Sequence, residues 1–106
     1  MGLHIDSDGI KCWYKNDKYH REDGPVIEYP SGITYWYKNG KIHRENEPAV
    51  IWPNGPKYWY KNGVLHREDG PAIEYASGDK TYFLNNIEYT EYEFKKVMLW
   101  KRLKKM

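Results

Sequence analysis

Hydrophobic and polar positions along this chain recur every 23 residues. Trp13, Trp36 and Trp59 stand at that interval, and Tyr82 takes the next slot. His20, His43 and His66 follow the same spacing, succeeded by Tyr89. Three units are evident: CWYKNDKYHREDGPVIEYPSG from Cys12, YWYKNGKIHRENEPAVIWPNG from Tyr35 and YWYKNGVLHREDGPAIEYASG from Tyr58. A half-unit, TYFLNNIEY, runs from Thr81 to Tyr89. Gly9 occupies the slot of Gly32, so residues 1–9 are expected to be a degenerate leading half-unit before repeats at 10–89.

Each unit carries two hairpin signals. Asn39-Gly40 and Asn62-Gly63 sit between strand-like runs, and Asn-Gly suits a type I′ turn because both central residues need positive φ. Asn16-Asp17 and Asn85-Asn86 are weaker versions. Ser31-Gly32, Asn54-Gly55 and Ser77-Gly78 mark the second turn. Pro25, Pro48 and Pro71 cannot donate to a ladder, so they are expected at strand starts or bulges. If both turns have two-residue loops, Trp36 faces His43 and Ile27 faces Trp36. Ile27, Tyr29, Trp36 and His43 then share a core face, with Glu28, Tyr35, Tyr37 and Arg44 on the wetter one. A one-residue slip reverses that assignment.

The pattern changes after Tyr89. Thr90-Glu91-Tyr92-Glu93 reads as a capping box, which predicts a helix over 91–105 within a capping segment 90–106. Phe94, Val97 and Met98 form one apolar stripe at helical spacing. Leu99, Trp100, Leu103 and Met106 fall mainly opposite it. Either the helix lies in a concave sheet and buries both stripes, or the second stripe meets a partner. The fold expected is mainly β: an array of antiparallel β-hairpin repeats forming an elongated twisted sheet, with one C-terminal capping α-helix, in a single domain.

These units resemble the MORN repeat, in a divergent variant seen in phage and giant-virus proteins. The resemblance rests on the period, the aromatic before the Asn-Gly turn, the His-Arg-Glu stretch and the closing Gly, over roughly residues 9–89. Asp17 replaces a turn Gly, and Glu47 replaces the Gly before Pro48. The resemblance implies stacked hairpins without one deep pocket, and roles in scaffolding, dimerisation, partner binding and lipid contact. It also implies a phage-type accessory protein that binds and inhibits a host protein, with a defence nuclease (anti-CRISPR type) as one such partner. The host cytoplasm would be its compartment.

Composition agrees with a β-rich chain having an aromatic core: aromatics make up 17% of 106 residues, mostly Tyr. A single cysteine, Cys12, permits no internal disulfide, which fits a reducing cytoplasmic setting. No signal peptide or transmembrane run is expected. Residues 94–106 hold six basic side chains and no acid, while the rest carries 11 basic and 15 acidic ones.

The His-Arg-Glu triplets invite a metal or catalytic reading. Successive units lie roughly 10 Å apart, too far for one metal to collect their His, and a repeated triplet positions no nucleophile. Catalytic residues, metal ligands and cofactors are therefore not expected, and the chain reads as no enzyme. The bland reading of the triplets is His packed on Trp and Arg paired with an acid. Arg21, Arg44 and Arg67 remain candidate phosphate ligands in an alternative nucleotide or nucleic-acid binding module. The leading candidates for protein binding are Tyr35, Tyr37, Trp52, Tyr58 and Tyr60 with Leu99, Trp100 and Leu103. Trp52, beside Ile51, makes the middle unit the least polar. A host protein is the favoured partner. A homo-oligomer through the helix is a further option, and nucleic acid is less favoured.

Overall fold

The two turns of each unit are built differently, and that difference sets the register of the whole array. The computed structural model describes residues 2–105. Met1, assigned above to the leading half-unit, and Met106, assigned to the second helix stripe, lie outside the described residues. At Asn39-Gly40, φ values of 54° and 79° close a two-residue loop, with Lys38 opposite Lys41 and Tyr37 opposite Ile42. Asn16-Asp17 (54° and 63°) and Asn85-Asn86 (51° and 69°) reach the same conformation without glycine, because Asn and Asp tolerate the left-handed region. His43 N–H donates to Trp36 O at 3.0 Å, which places these residues across the hairpin as expected.

The second turn has three residues, which corrects the expected pairing there. Tyr29 N–H donates to Ile33 O at 2.9 Å and Gly32 N–H to Tyr29 O at 2.8 Å, with Gly32 at φ 98°. Ile27 therefore faces Tyr35 rather than Trp36. The same closure recurs at Trp52–Pro56 and Tyr75–Asp79. The extra residue moves Ile27, Val50 and Ile73 out of the tryptophan set. They alternate instead with Tyr35 and Tyr58 along one row across the sheet.

The strands follow from these turns. β1 (Gly2–Ile5) leads. The first unit contributes β2 (Lys11–Lys15), β3 (Lys18–Tyr19) and β4 (Ile27–Glu28). The second contributes β5 (Thr34–Tyr35), β6 (Tyr37–Lys38), β7 (Lys41–Ile42) and β8 (Val50–Ile51). The third contributes β9 (Lys57–Tyr58), β10 (Tyr60–Lys61), β11 (Val64–Leu65) and β12 (Ile73–Glu74). β13 (Lys80–Leu84), β14 (Ile87–Tyr89) and α1 (Glu91–Lys104) end the chain. Ten strands form one antiparallel sheet in the order β1-β2-β4-β5-β8-β9-β12-β13-β14, with β3 paired to β2. β6–β7 and β10–β11 are separate two-stranded sheets, because Trp36 and Trp59 interrupt the strands on either side of them. The molecule is elongated, 49 × 31 × 19 Å.

Trp36 and Trp59 sit beside the smallest core residues. Trp36 N–H donates to Ala49 O at 2.8 Å and Trp59 N–H to Ala72 O at 2.7 Å, and both alanines are fully buried. Val26 plays that part for Trp13. A large ring next to a small side chain fills the space without overpacking.

Thr90 caps α1 through the full capping box: its side chain accepts from Glu93 N–H, and the Glu93 carboxylate accepts from Thr90 N–H. Phe94 packs on Tyr82 at a ring separation of 4.8 Å, in a cluster with Leu84, Tyr89, Val97 and Met98. The helix thus covers the last hairpin with its first stripe only. Phe94→Ala leaves a cavity in the apolar contact between helix and last hairpin. It should cost about 3 kcal/mol and lower the denaturation midpoint together with the helical circular dichroism signal.

Candidate interaction surfaces

Each unit holds its tryptophan with its own arginine. The guanidinium carbons of Arg21, Arg44 and Arg67 lie 3.8, 3.8 and 3.9 Å from the ring centroids of Trp13, Trp36 and Trp59. Arg44, placed above on the face away from Trp36, lies on that ring instead, since the connection through Asn46, Glu47 and Pro48 folds it back. Each guanidinium also donates to the carbonyl of the proline four residues on, at 3.1, 3.2 and 3.1 Å. Arg21 and Arg67 add Glu28 at 3.0 Å and Glu74 at 3.1 Å, and Arg67 also bonds Asp69 at 2.9 Å. Stacking, carbonyl and carboxylate together occupy much of each guanidinium.

The middle unit reaches the same arrangement by another path. A Cβ at Gly24 or Gly70 would lie 2.7 or 3.0 Å from the guanidinium carbon. Glu47 cannot follow that route, and the chain turns through Asn46 at φ 62°. Ile51 stands where the other units have Glu28 and Glu74, so Arg44 has lost that carboxylate. Glu47 supplies one at 3.7 Å. The two departures in this unit compensate each other.

The histidines link units. His43 Nδ1 accepts from Asn62 N–H at 2.9 Å, and His66 Nδ1 from Asn85 N–H at 3.0 Å. Their Nε2 atoms then carry the proton and donate to Glu45 and, at 3.1 Å, to Glu68. Two backbone bonds reinforce each link: Gly63 N–H to Ile42 O and Arg44 N–H to Tyr60 O, then Asn86 N–H to Leu65 O and Arg67 N–H to Phe83 O. Between the first and second units Tyr19 stands in the slot of Ile42 and Leu65. Its ring packs between Tyr14 and Tyr37, at 5.1 Å from each. The His-Arg-Glu segments of units two and three line an open cleft of about 330 Å³. No cluster of three metal-ligating side chains occurs among the described residues.

The tyrosine candidates divide between packing and exposure. Tyr35 and Tyr58 are half-buried between the aliphatic rungs of the main sheet. Tyr37 and Tyr60 are half-buried on the hairpins, where burial pushes their hydroxyls up from the usual tyrosine value. Tyr29 lies 6.0 Å from Tyr35, and Tyr58 lies 6.5 Å from Tyr60. These rings form part of the fabric of the sheet. Trp52, in contrast, is 41% exposed on a three-residue turn, and Tyr75 in the same slot of the next unit is 40% exposed. Tyr75 was missed as a candidate, although its repeat position equals that of Trp52. Between these turns lies a groove of about 350 Å³ bordered by Pro53, Gly55, Lys57 and Glu74.

On α1 the structure brings Leu99, Trp100 and Leu103 together, each more than half exposed. Tyr92, 70% exposed, extends their stripe. It too was missed, though it lies seven residues before Leu99, which is two helical turns. Lys104 lies over the Trp100 ring at 4.5 Å. Lys101 points inward to Glu68 at 3.7 Å and ties the helix to the third unit. The lysines at the hairpin tips lie near acids: Lys15 acts on Glu22, and Lys38 and Lys61 on Glu45. That edge therefore presents mixed charge. No helix among the described residues is long and apolar enough to cross a membrane. Comparison with known proteins finds no matching family model, no matching curated protein and no matching solved structure.

Replacing Arg67 by Lys keeps the charge but loses the planar stack and the directed bonds to Pro71 and Glu74. It should destabilise the chain by about 2 kcal/mol, read from the urea midpoint. Acid should act through the His-Glu pairs. Bonds from His20, His43 and His66 hold Glu22, Glu45 and Glu68 below the usual carboxylate range. A lowered folded-state pKa contributes stability above the unfolded value of about 4.3. That contribution is lost as pH falls through the lowered folded value. The midpoint should therefore fall as pH drops below about 5, less steeply in Glu45→Gln/Glu68→Gln than in the parent.

Proposed function

We propose that this chain is a non-enzymatic protein-binding module, a MORN-like accessory protein of phage type that binds and inhibits a host protein. A defence nuclease is the partner class to examine first. The observation that supports the reading is where large apolar side chains are left uncovered. Among the described residues, six of the nine gather on two ordered elements, the Trp52–Tyr75 turn edge and the outer stripe of α1, while Leu3 and Ile5 stand on β1 and Ile87 on β14. Exposed patches of this kind on a well-packed scaffold are contact sites, and Trp and Tyr are the side chains that dominate binding energy. Tyr35, Tyr37, Tyr58 and Tyr60 are half-buried in the sheet and hairpins and are less available to a partner. The host cytoplasm is the proposed compartment.

The phosphate-binding alternative assigns ligands to Arg21, Arg44 and Arg67. Their guanidiniums are stacked on tryptophan and bonded to carbonyl and carboxylate oxygens, so an anion would have to displace internal partners. This weighs for the protein-binding reading.

The test is affinity capture from host lysate, read by mass spectrometry and by absorbance at 260 nm. The expected result is one host protein in near-stoichiometric amount, bound about tenfold or more weakly by Trp52→Ala/Tyr75→Ala. Nucleic acid or nucleotide without protein, lost with Arg44→Ala, would overturn it.

A further inference from the structure

The charges of α1 are sorted along the helix and around it. Glu91 and Glu93 lie in the first turn, and Lys101, Arg102 and Lys104 in the last. At about 100° per residue, Tyr92, Leu99 and Leu103 form the centre of the exposed stripe. Glu93 and Lys104 then border it on the side of Trp100. Glu91 and Arg102 border it on the other side. Each flank thus carries an acid at its start and a base at its end, with Lys95 bonded to Glu91 at 2.9 Å on one flank and Lys96 lying over the Tyr92 ring within the stripe. The inner face is already committed to Phe94, Val97 and Met98 against β13 and β14.

We infer that a second copy of this chain covers the outer stripe, α1 against α1, antiparallel. A two-fold axis between the helices, perpendicular to both, returns each flank to its own side. Glu93 of one copy then meets Lys104 of the other on one flank, and Glu91, shared with its own Lys95, meets Arg102 on the other flank, each pairing occurring twice. Tyr92 lies against Leu103 of the other copy, and Leu99 lies along the aliphatic stem of Lys96. A parallel pair would exchange the flanks, setting Glu91 against Glu93 and Arg102 against Lys104. The charge pattern therefore selects the antiparallel arrangement, with isologous two-fold symmetry. This inference rests on reading the outer stripe as a contact surface, and it names the occupant. The dimer presents the Trp52–Tyr75 edge twice, for bivalent engagement of a foreign partner. One short helix per copy is at the small end of specific interfaces, so association falls in the micromolar range.

The test is sedimentation of the full chain from about 1 to about 500 µM, at low salt and at about 0.5 M salt. Mass should rise from one chain to two, less readily in high salt. Leu99→Glu/Leu103→Glu should remain monomeric with unchanged circular dichroism, since both side chains are exposed. Orientation is read in a Cys12→Ser background. Chains carrying Tyr92→Cys and chains carrying Leu103→Cys are mixed and oxidised, and the 92–103 bridge should predominate. A parent monomeric at every concentration would overturn the dimer, as would a predominance of 92–92 and 103–103 bridges. If the parent is monomeric yet the Leu99/Leu103 variant loses host-protein capture, the dimer falls and the contact-surface reading stands. A dimer whose host-protein capture is insensitive to both the stripe and Trp52 variants would remove the proposed function and leave the dimer.

Discussion

The stack of arginine on tryptophan, made once in each of three units, is the interaction on which the rest of the array depends. A two-residue strand cannot hold a sheet together by its ladder alone, and most strands here are that short. The guanidinium supplies what the ladder lacks. It covers the exposed face of the ring and bonds the proline carbonyl four residues on. In so doing it folds the Gly-Pro connection back over the unit that carries it. A planar cation with several donors can do both at once, which an ammonium cannot. The middle unit demonstrates how strongly the arrangement is held. There the glycine that leaves room for the guanidinium is absent and its strand carboxylate has become Ile51. The stack nevertheless persists at 3.8 Å, through a left-handed Asn46 and a substitute acid at Glu47.

Units are joined by a different chemistry from that which builds them. Between units two, three and the last hairpin, a histidine accepts a turn amide from the next unit while donating to its own glutamate. The ring is a bridge whose two nitrogens have opposite roles. Two backbone bonds beside each bridge make the contact continuous. The first contact uses a tilted pair of tyrosine rings, Tyr19 on Tyr37, instead, because Tyr19 occupies the aliphatic slot. A repeat array stabilised by nearest-neighbour terms of this sort needs its ends closed. α1 closes one end through Phe94, and β1 closes the other by pairing with β2.

The array therefore spends its conspicuous polar side chains on itself. The His-Arg-Glu triplets, which draw the eye as chemistry, are the internal framework, and the candidates for contact are the apolar side chains with nothing over them. Rigidity gives those side chains their value. Trp52 and Tyr75 stand on closed three-residue turns, and the α1 stripe is held by a capped helix, so little freedom is lost when a partner covers them.

Much of this was legible in the sequence. The 23-residue period, the Asn-Gly turns and the Thr90 capping box are local signals whose geometry is dictated by a few residues, and each produced the element expected. The alternation of two stripes on the helix was readable for the same reason. The register across the Ser-Gly turns was not, because loops of two and three residues satisfy the same residues and differ only in which hydrogen bonds close. That single residue decides whether Ile27 meets Trp36 or Tyr35. The placement of Arg44 over Trp36 was likewise settled only by the path of the connection through Asn46 and Glu47. Which tyrosines are packed and which aromatic rings are bare also depended on neighbours brought from other units. Local turn and cap chemistry determined the elements. The tertiary structure decided facing, exposure and that the second helix stripe stays uncovered within the chain, because those follow from contacts between residues distant in sequence.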